Sequence, residues 1–298
     1  MKIVESLERK CYNFGMEVKE AEPDLRKTGK PGKTMNQTFE RTGWQKRAGS
    51  LQEPGGRMQA ILLAGGLGTR LRSVVSDRPK PMALIEDKPF MEYVVHELSR
   101  HGITDIIFAV GYKGSMVEDY FGDGSRFEAP GGQALTIRYA YEEELLGTAG
   151  AIKNAGRLVT DDSFFVLNAD TFYQIDYGRL VRLQKQQDLE MALVLREVPD
   201  VSRYGQAILK DGILEGFNEK TTEVRPGTIN GGVYRMRREL LAEIPEGKVS
   251  LENDMIPKWL SEGRRLGGFV NDGYFIDIGV PEDYFRFMED VKRGIVTW

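Results

Sequence analysis

Apolar positions show little periodicity from Glu22 to Arg57 and are strongly patterned from Met58 onward. Gln59 to Ala64 (QAILLA) is a short apolar run ending on glycines, which predicts a buried strand. Between Pro89 and His101, Phe90, Met91, Val94, Val95 and Leu98 recur at helical spacing. Pro89 suits the first turn of that helix and Gly102 its stop. Asp105 to Gly111 reads as a second strand and Tyr112 to Phe121 as a helix. A third strand spans Leu135 to Tyr141, a helix Thr148 to Arg157, and a fourth strand Ser163 to Asn168. This order predicts an α/β, Rossmann-like fold: a mostly parallel or mixed central sheet flanked by helices. Shorter runs follow at Glu190–Glu197, Gln206–Lys210, Ile229–Arg235 and Arg265–Val270. They predict a mixed extension of the sheet and a lid over the site. Pro281-Glu282-Asp283-Tyr284 opens a last helix.

Residues 1–57 differ in kind. They carry 12 Lys and Arg against 8 Asp and Glu, leaving 29 against 37 for the other 241 residues. Lys2 to Glu20 has the makings of a short helix. From Glu22 to Arg57, breakers such as Pro23, Pro31, Gly32, Pro54 and Gly55 interrupt the chain. Such a stretch buries too little surface to offset its ordering entropy. It reads as a poorly structured extension, with an over-long start or a fused fragment as one explanation, and the catalytic domain as 58–298. No apolar h-region marks a secretory signal.

Composition narrows the function classes. No run reaches the roughly 18 apolar residues of a membrane span, so no membrane insertion is expected. The net charge of −4 argues against a nucleic-acid binder. A single cysteine, Cys11, excludes an internal disulfide and favours a reducing, cytoplasmic location. Oligomeric state is left open.

Gly65-Gly66-Leu67-Gly68-Thr69-Arg70-Leu71 directly follows the first strand. Glycines there let backbone N–H groups approach an anion, and Arg70 adds a forked cation. The spacing is neither a dinucleotide fingerprint nor a Walker loop, so chemistry alone leaves a ligand-free tight turn open. Ten residues on, Pro79-Lys80-Pro81-Met82 fixes one lysine between two prolines. The string LAGGLGTRLRSVVSDRPKPM resembles the signature of the sugar-nucleotide pyrophosphorylases, nucleotidyltransferases that join a sugar 1-phosphate to a nucleoside triphosphate. The resemblance runs over Met58 to Trp298. It implies that Leu63, Gly65, Gly66, Gly68 and Thr69 wrap the nucleotide, with Gly147 and Thr148 from a later segment. It also implies that Arg70 holds the triphosphate and Lys80 neutralises the reacting phosphates.

Asp170, in Asn168-Ala169-Asp170-Thr171, ends an apolar strand, where a carboxylate faces the ligand crevice. Phe275-Ile276-Asp277-Ile278-Gly279 repeats that form downstream. The resemblance places Asp170 and Asp277 at Mg²⁺, which needs only one or two protein carboxylates beside substrate phosphates.

In this family the residue five before the first glycine of the next motif reads the base edge. That residue is Glu142, in a position where thymidylyl and many uridylyl enzymes carry an amide. A carboxylate only accepts hydrogen bonds. Guanine offers N1–H and its amine side by side, whereas uracil and thymine flank one N–H with carbonyls, so GTP is favoured. Phe217-Asn218-Glu219-Lys220 is similar to the sugar motif, implying Glu219 on hydroxyls and Lys220 on the sugar phosphate. Gly205, Asn230 and Gly231 match further sugar-phosphate-binding motifs, while Thr221 departs from the family's proline. Ser250-Leu251-Glu252-Asn253-Asp254 reads as a helix start capped by Ser250.

No hexapeptide repeat appears, so no C-terminal β-helix is expected. A bare domain with these motifs most resembles the D-glycero-α-D-manno-heptose 1-phosphate guanylyltransferases. Mannose 1-phosphate guanylyltransferase and uridylyltransferase activities are the enzyme alternatives. A regulatory nucleotide-sugar-binding module is the non-enzyme alternative. It would have lost the charged set that Arg70, Lys80, Asp170, Lys220 and Asp277 retain.

Overall fold

The protein is described by a computed structural model over residues 58–66, 68–202, 206–218 and 224–297, without the side chains of Thr69 and Asn218. The Lys2–Glu20 helix, the extension, Cys11, Gly205, Glu219, Lys220 and Thr221 lie outside those residues.

Nine described strands form the main sheet: β1 Met58–Leu63, β2 Ile103–Val110, β3 Thr136–Tyr141, β4 Ser163–Asn168, β5 Met191–Val198, β6 Gln206–Lys210, β7 Ile213–Asn218, β8 Gly227–Arg237 and β9 Leu266–Val270. Their order is β5-β9-β7-β6-β8-β4-β1-β2-β3, and β5 also pairs with β8. β1 runs parallel to β2 and β4, and β2 parallel to β3. β8 joins antiparallel to both β4 and β5. The expected sheet is therefore parallel in its first half and mixed in its second.

The helices are α1 Phe90–Arg100, α2 Gly114–Phe121, α3 Gly147–Gly156, α4 Tyr177–Gln186, α5 Ile256–Ser261 and α6 Pro281–Lys292. Alternation in β1 separates two cores. Ala60 and Leu62 pack with α1 and α6 on one face, and Ile61 packs with α3 and α5 on the other. On α1, Phe90, Met91, Val94, Val95 and Leu98 are all 3% exposed or less. Each contributes about 1.5 to 3 kcal/mol by leaving water. Gly102, at φ 75°, ends that helix. No described helix is long and apolar enough to cross a membrane.

Helix α4 and strand β7 go beyond the sequence pattern. Helix α4 is short and largely polar, burying Tyr177, Gly178, Leu180 and Gln184. Asp176, whose carboxylate accepts the Arg179 N–H at 3.0 Å, was its available signal. Strand β7 carries Gly216 mid-strand, which weakens its alternation.

Candidate active site

The site forms at the carboxyl ends of β1 and β4, which lie side by side with Leu63 opposite Asn168. Ligands of open parallel sheets bind in this kind of crevice. The glycine loop leaves β1 and turns into the single helical turn Thr69–Leu71. Gly68 sits at φ +58°, and a Cβ there would stand 2.8 Å from the Lys80 Cβ. The loop therefore needs glycine to pack on Lys80. Pro79 enters and Pro81 lies within the turn Lys80–Met82, which holds the lysine backbone rigid.

Lys80 is 8% exposed. Its Nζ donates to Asp170 Oδ2 at 2.7 Å and to Asp277 Oδ1 at 3.1 Å. These two carboxylates, far apart in the chain, meet because Thr171–Tyr173 and Phe275–Asp277 pair antiparallel, Asp277 opposite Thr171. The Ile278 N–H also donates to the Asp170 carbonyl at 3.1 Å. Phe287 on α6 packs against Phe172 at 5.6 Å and Phe90 at 4.8 Å, clamping this small hairpin to α1. Burial alone would lower the Lys80 pKa, but Asp170 and Asp277 together outweigh it and hold the ammonium above its ordinary value. Burial, then the Asp170 charge, raises the Asp277 carboxyl above the usual range against the pull of Lys80.

Above this centre lies a cleft of about 290 Å³. Its lining includes Leu63, Gly65, Gly66, Gly68, Lys80, Glu142, Gly147, Thr148 and Asp170, all read from the sequence, with Leu145 and Asn168 in addition. Glu142 follows β3 and turns back into the cleft. Its Oε2 accepts the Leu146 N–H at 3.2 Å. The carboxylate lies against Gly65, where a Cβ would collide with it. Burial raises the Glu142 pKa, opposed by that N–H.

The remaining expected residues fall elsewhere. Arg70 is exposed on the loop turn and is not in the cleft lining. Asn230 and Gly231 also lie off it. Asn230 donates from Nδ2 to the Tyr234 hydroxyl at 2.5 Å, and its Oδ1 accepts the Gly232 N–H at 3.0 Å. Gly231 packs on the Tyr173 ring. His101, just past α1, belongs to the scaffold side: it meets Glu97 at 3.3 Å and its ring lies 5.0 Å from that of Tyr177. Sequence reading passed over Glu252, which gathers hydroxyl groups behind Thr148. Its signal, a carboxylate two residues after a helix cap, is indistinguishable from an ordinary first-turn acid.

The family model for nucleotidyl transferases matches residues 59–294. The chain belongs to the nucleotidyl transferase family. A D-glycero-alpha-D-manno-heptose 1-phosphate guanylyltransferase from Aneurinibacillus thermoaerophilus is 38% identical over 239 residues, covering 80% of this chain and 100% of the relative. The enzyme of the same description from Campylobacter jejuni is 40% identical, covering 78% of this chain and 99% of the relative. Among solved structures, HddC from Yersinia pseudotuberculosis complexed with GMP-PN superposes with a TM-score of 0.68 at 34% identity. That match covers 78% of this chain and 99% of HddC.

Proposed function

We propose that this chain transfers GMP from GTP to a sugar 1-phosphate, D-glycero-α-D-manno-heptose 1-phosphate, releasing pyrophosphate. The base assignment rests chiefly on Glu142: a carboxylate fixed on the cleft wall beside Gly65, offering acceptors only. The sugar assignment rests on the two full-length relatives that carry this activity in their names.

The chemistry follows from charge. A sugar phosphate has its second pKa near ~6 and is already largely dianionic at neutral pH. It needs no general base. One of its oxygens forms a bond to the α-phosphorus of GTP while the bond to the β-phosphate oxygen breaks. The electron pair leaves with pyrophosphate. Catalysis then reduces to holding two polyanions in line and offsetting their charge. The Lys80 ammonium faces the cleft for that task, and the glycine loop brings backbone N–H groups to the phosphates.

Mg²⁺ fits the donor set. Two carboxylates against one ammonium leave one negative charge over, and both offer only hard oxygen donors. No group of three or more His, Cys, Asp or Glu converges among the described residues, so phosphates and waters would complete the shell. Held by Asp170 and Asp277, Mg²⁺ would supply positive charge to the phosphate oxygens.

Pyrophosphate release measured over a grid of GTP, UTP, ATP and CTP with heptose, mannose and glucose 1-phosphates tests this reading. The expected maximum is GTP with the heptose phosphate. Faster turnover with UTP would remove the base assignment, and faster turnover with mannose 1-phosphate the sugar assignment.

A further inference from the structure

Glu252 sits in the π-helical turn Leu251–Met255, which Ser250 caps by accepting the Asn253 N–H at 3.1 Å. Single π turns concentrate at functional sites. Three hydroxyls converge on its carboxylate. Tyr234 donates to Oε1 at 2.9 Å, while Thr148 at 2.8 Å and Ser250 at 3.3 Å donate to Oε2. None of these partners is a cation. This carboxylate therefore neutralises nothing; it sets direction.

A carboxylate accepts and never donates, so each hydroxyl commits its proton to Glu252. Thr148 Oγ1 additionally accepts the Leu251 N–H at 2.7 Å. One lone pair remains on that oxygen, and Thr148 lines the cleft beside Glu142. Toward a ligand the hydroxyl is left as an acceptor only. The Tyr234 end obeys the same logic. Its proton is committed, so its oxygen accepts from Asn230 Nδ2 at 2.5 Å. The Gly232 N–H on Asn230 Oδ1 independently requires that amide orientation.

Guanine presents three N–H bonds: N1–H and one amine N–H side by side, and a second amine N–H toward the N3 side. The two oxygens of Glu142 can take two. The third needs another acceptor, and uracil or thymine would set a carbonyl oxygen against it. We propose that Glu252 is a positioning residue for base selectivity: by claiming the Thr148 proton, it makes Thr148 an acceptor for the exocyclic amine of guanine. The inference rests on the guanine reading above.

The test compares kcat/KM for GTP, for ITP (which lacks that amine) and for UTP, with melting temperature recorded for every variant. Glu252→Met keeps the side-chain length without an acceptor and frees the Thr148 proton to point into the cleft. The GTP-over-ITP preference is expected to fall about fivefold, the effect of one neutral hydrogen bond. Glu252→Gln keeps a carbonyl where Thr148 and Ser250 meet, and should retain the wild-type ratio. Thr148→Val should reproduce the loss, Thr148→Ser should not, and Glu252→Met added to Thr148→Val should cost no further selectivity. An unchanged GTP-to-ITP ratio in Glu252→Met or Thr148→Val overturns the proposal. So does an equal fall in kcat for all three nucleotides, which marks a purely structural role. A wild-type enzyme that prefers UTP to GTP overturns the base reading itself. A GTP-preferring wild type with an intact ratio in Glu252→Met overturns only the role of Glu252.

Discussion

Two carboxylate centres adjoin the cleft, one through Lys80 and Asp170 and one through Thr148, and they use the same functional group for different ends. Around Lys80, Asp170 and Asp277 meet an ammonium at 2.7 and 3.1 Å. Around Glu252, three hydroxyls meet one carboxylate. In the proposed reaction the first centre manages charge: its members would set how much positive potential the phosphates meet. The second manages direction: it decides which way a proton points. A charge error should cost rate, and a direction error should cost selectivity.

The sharpest way to break this contrast is Asp170→Asn. It removes one charge from the first centre with almost no change in volume. Turnover should fall about a hundred- to a thousandfold, with the circular dichroism spectrum and melting curve retained. Wild-type turnover would mean that Asp170 holds no catalytic charge. Next comes Lys80→Met, which leaves two carboxylates facing each other. Urea unfolding should show a loss of roughly 2 to 3 kcal/mol, less than the 3 to 5 of a fully buried pair, because the Asp170 side chain is 33% exposed. Undiminished stability would mean that the ammonium does not compensate them in solution. Glu142→Gln lies between the two centres, since it alters both charge and direction. The kcat/KM for GTP should drop ten- to a hundredfold, the effect of a charge-assisted hydrogen bond, while that for UTP drops less or rises.

The smallest effect concerns pH. Burial raises the Glu142 pKa above its ordinary 4.5. Protonation turns one of its oxygens into a donor that opposes guanine. Guanosine, which carries no phosphate, should therefore bind more weakly as pH falls, starting above 4.5. The stability sign is opposite. A raised folded-state pKa contributes stability below the unfolded value, and that contribution is lost as pH rises through the folded value. Glu142→Gln should thus melt slightly higher than wild type at neutral pH and show a flat guanosine affinity over the same range. A wild-type titration with an ordinary carboxylate midpoint would remove the burial argument.

Part of the first centre was legible in local strings, with Asp277 added only by the family resemblance, and the second centre was not, for a physical reason. Gly68, Lys80 and Asp170 sit in short strings whose geometry is local: a strand end, a proline-fixed turn, a residue at a sheet's carboxyl edge. Apolar runs predicted β1 to β4 within a residue or two. Glu252 acquires its role from Thr148 on α3 and Tyr234 on β8, and no spacing in the chain encodes that meeting. The capping serine before it was readable, and Ser250 does cap, but the turn it opens is π rather than α. Helix α4 was hidden similarly: its buried Gln184 exchanges hydrogen bonds with Arg235 on β8, so a polar residue occupies a core position. Asn230 sits in a readable motif, and its amide engages Tyr234 and Gly232, off the cleft lining.

The hairpin that joins Asp170 to Asp277 also orders events in time. Lys80 and Asp277 are separated by 197 residues. A ribosome releases the glycine loop, Lys80 and Asp170 well before the strand carrying Asp277, at about 5 to 20 residues per second. For those seconds the nascent chain holds only half of the carboxylate pair. The Lys80 ammonium gains its second carboxylate only when that antiparallel strand arrives, with the fold nearly closed.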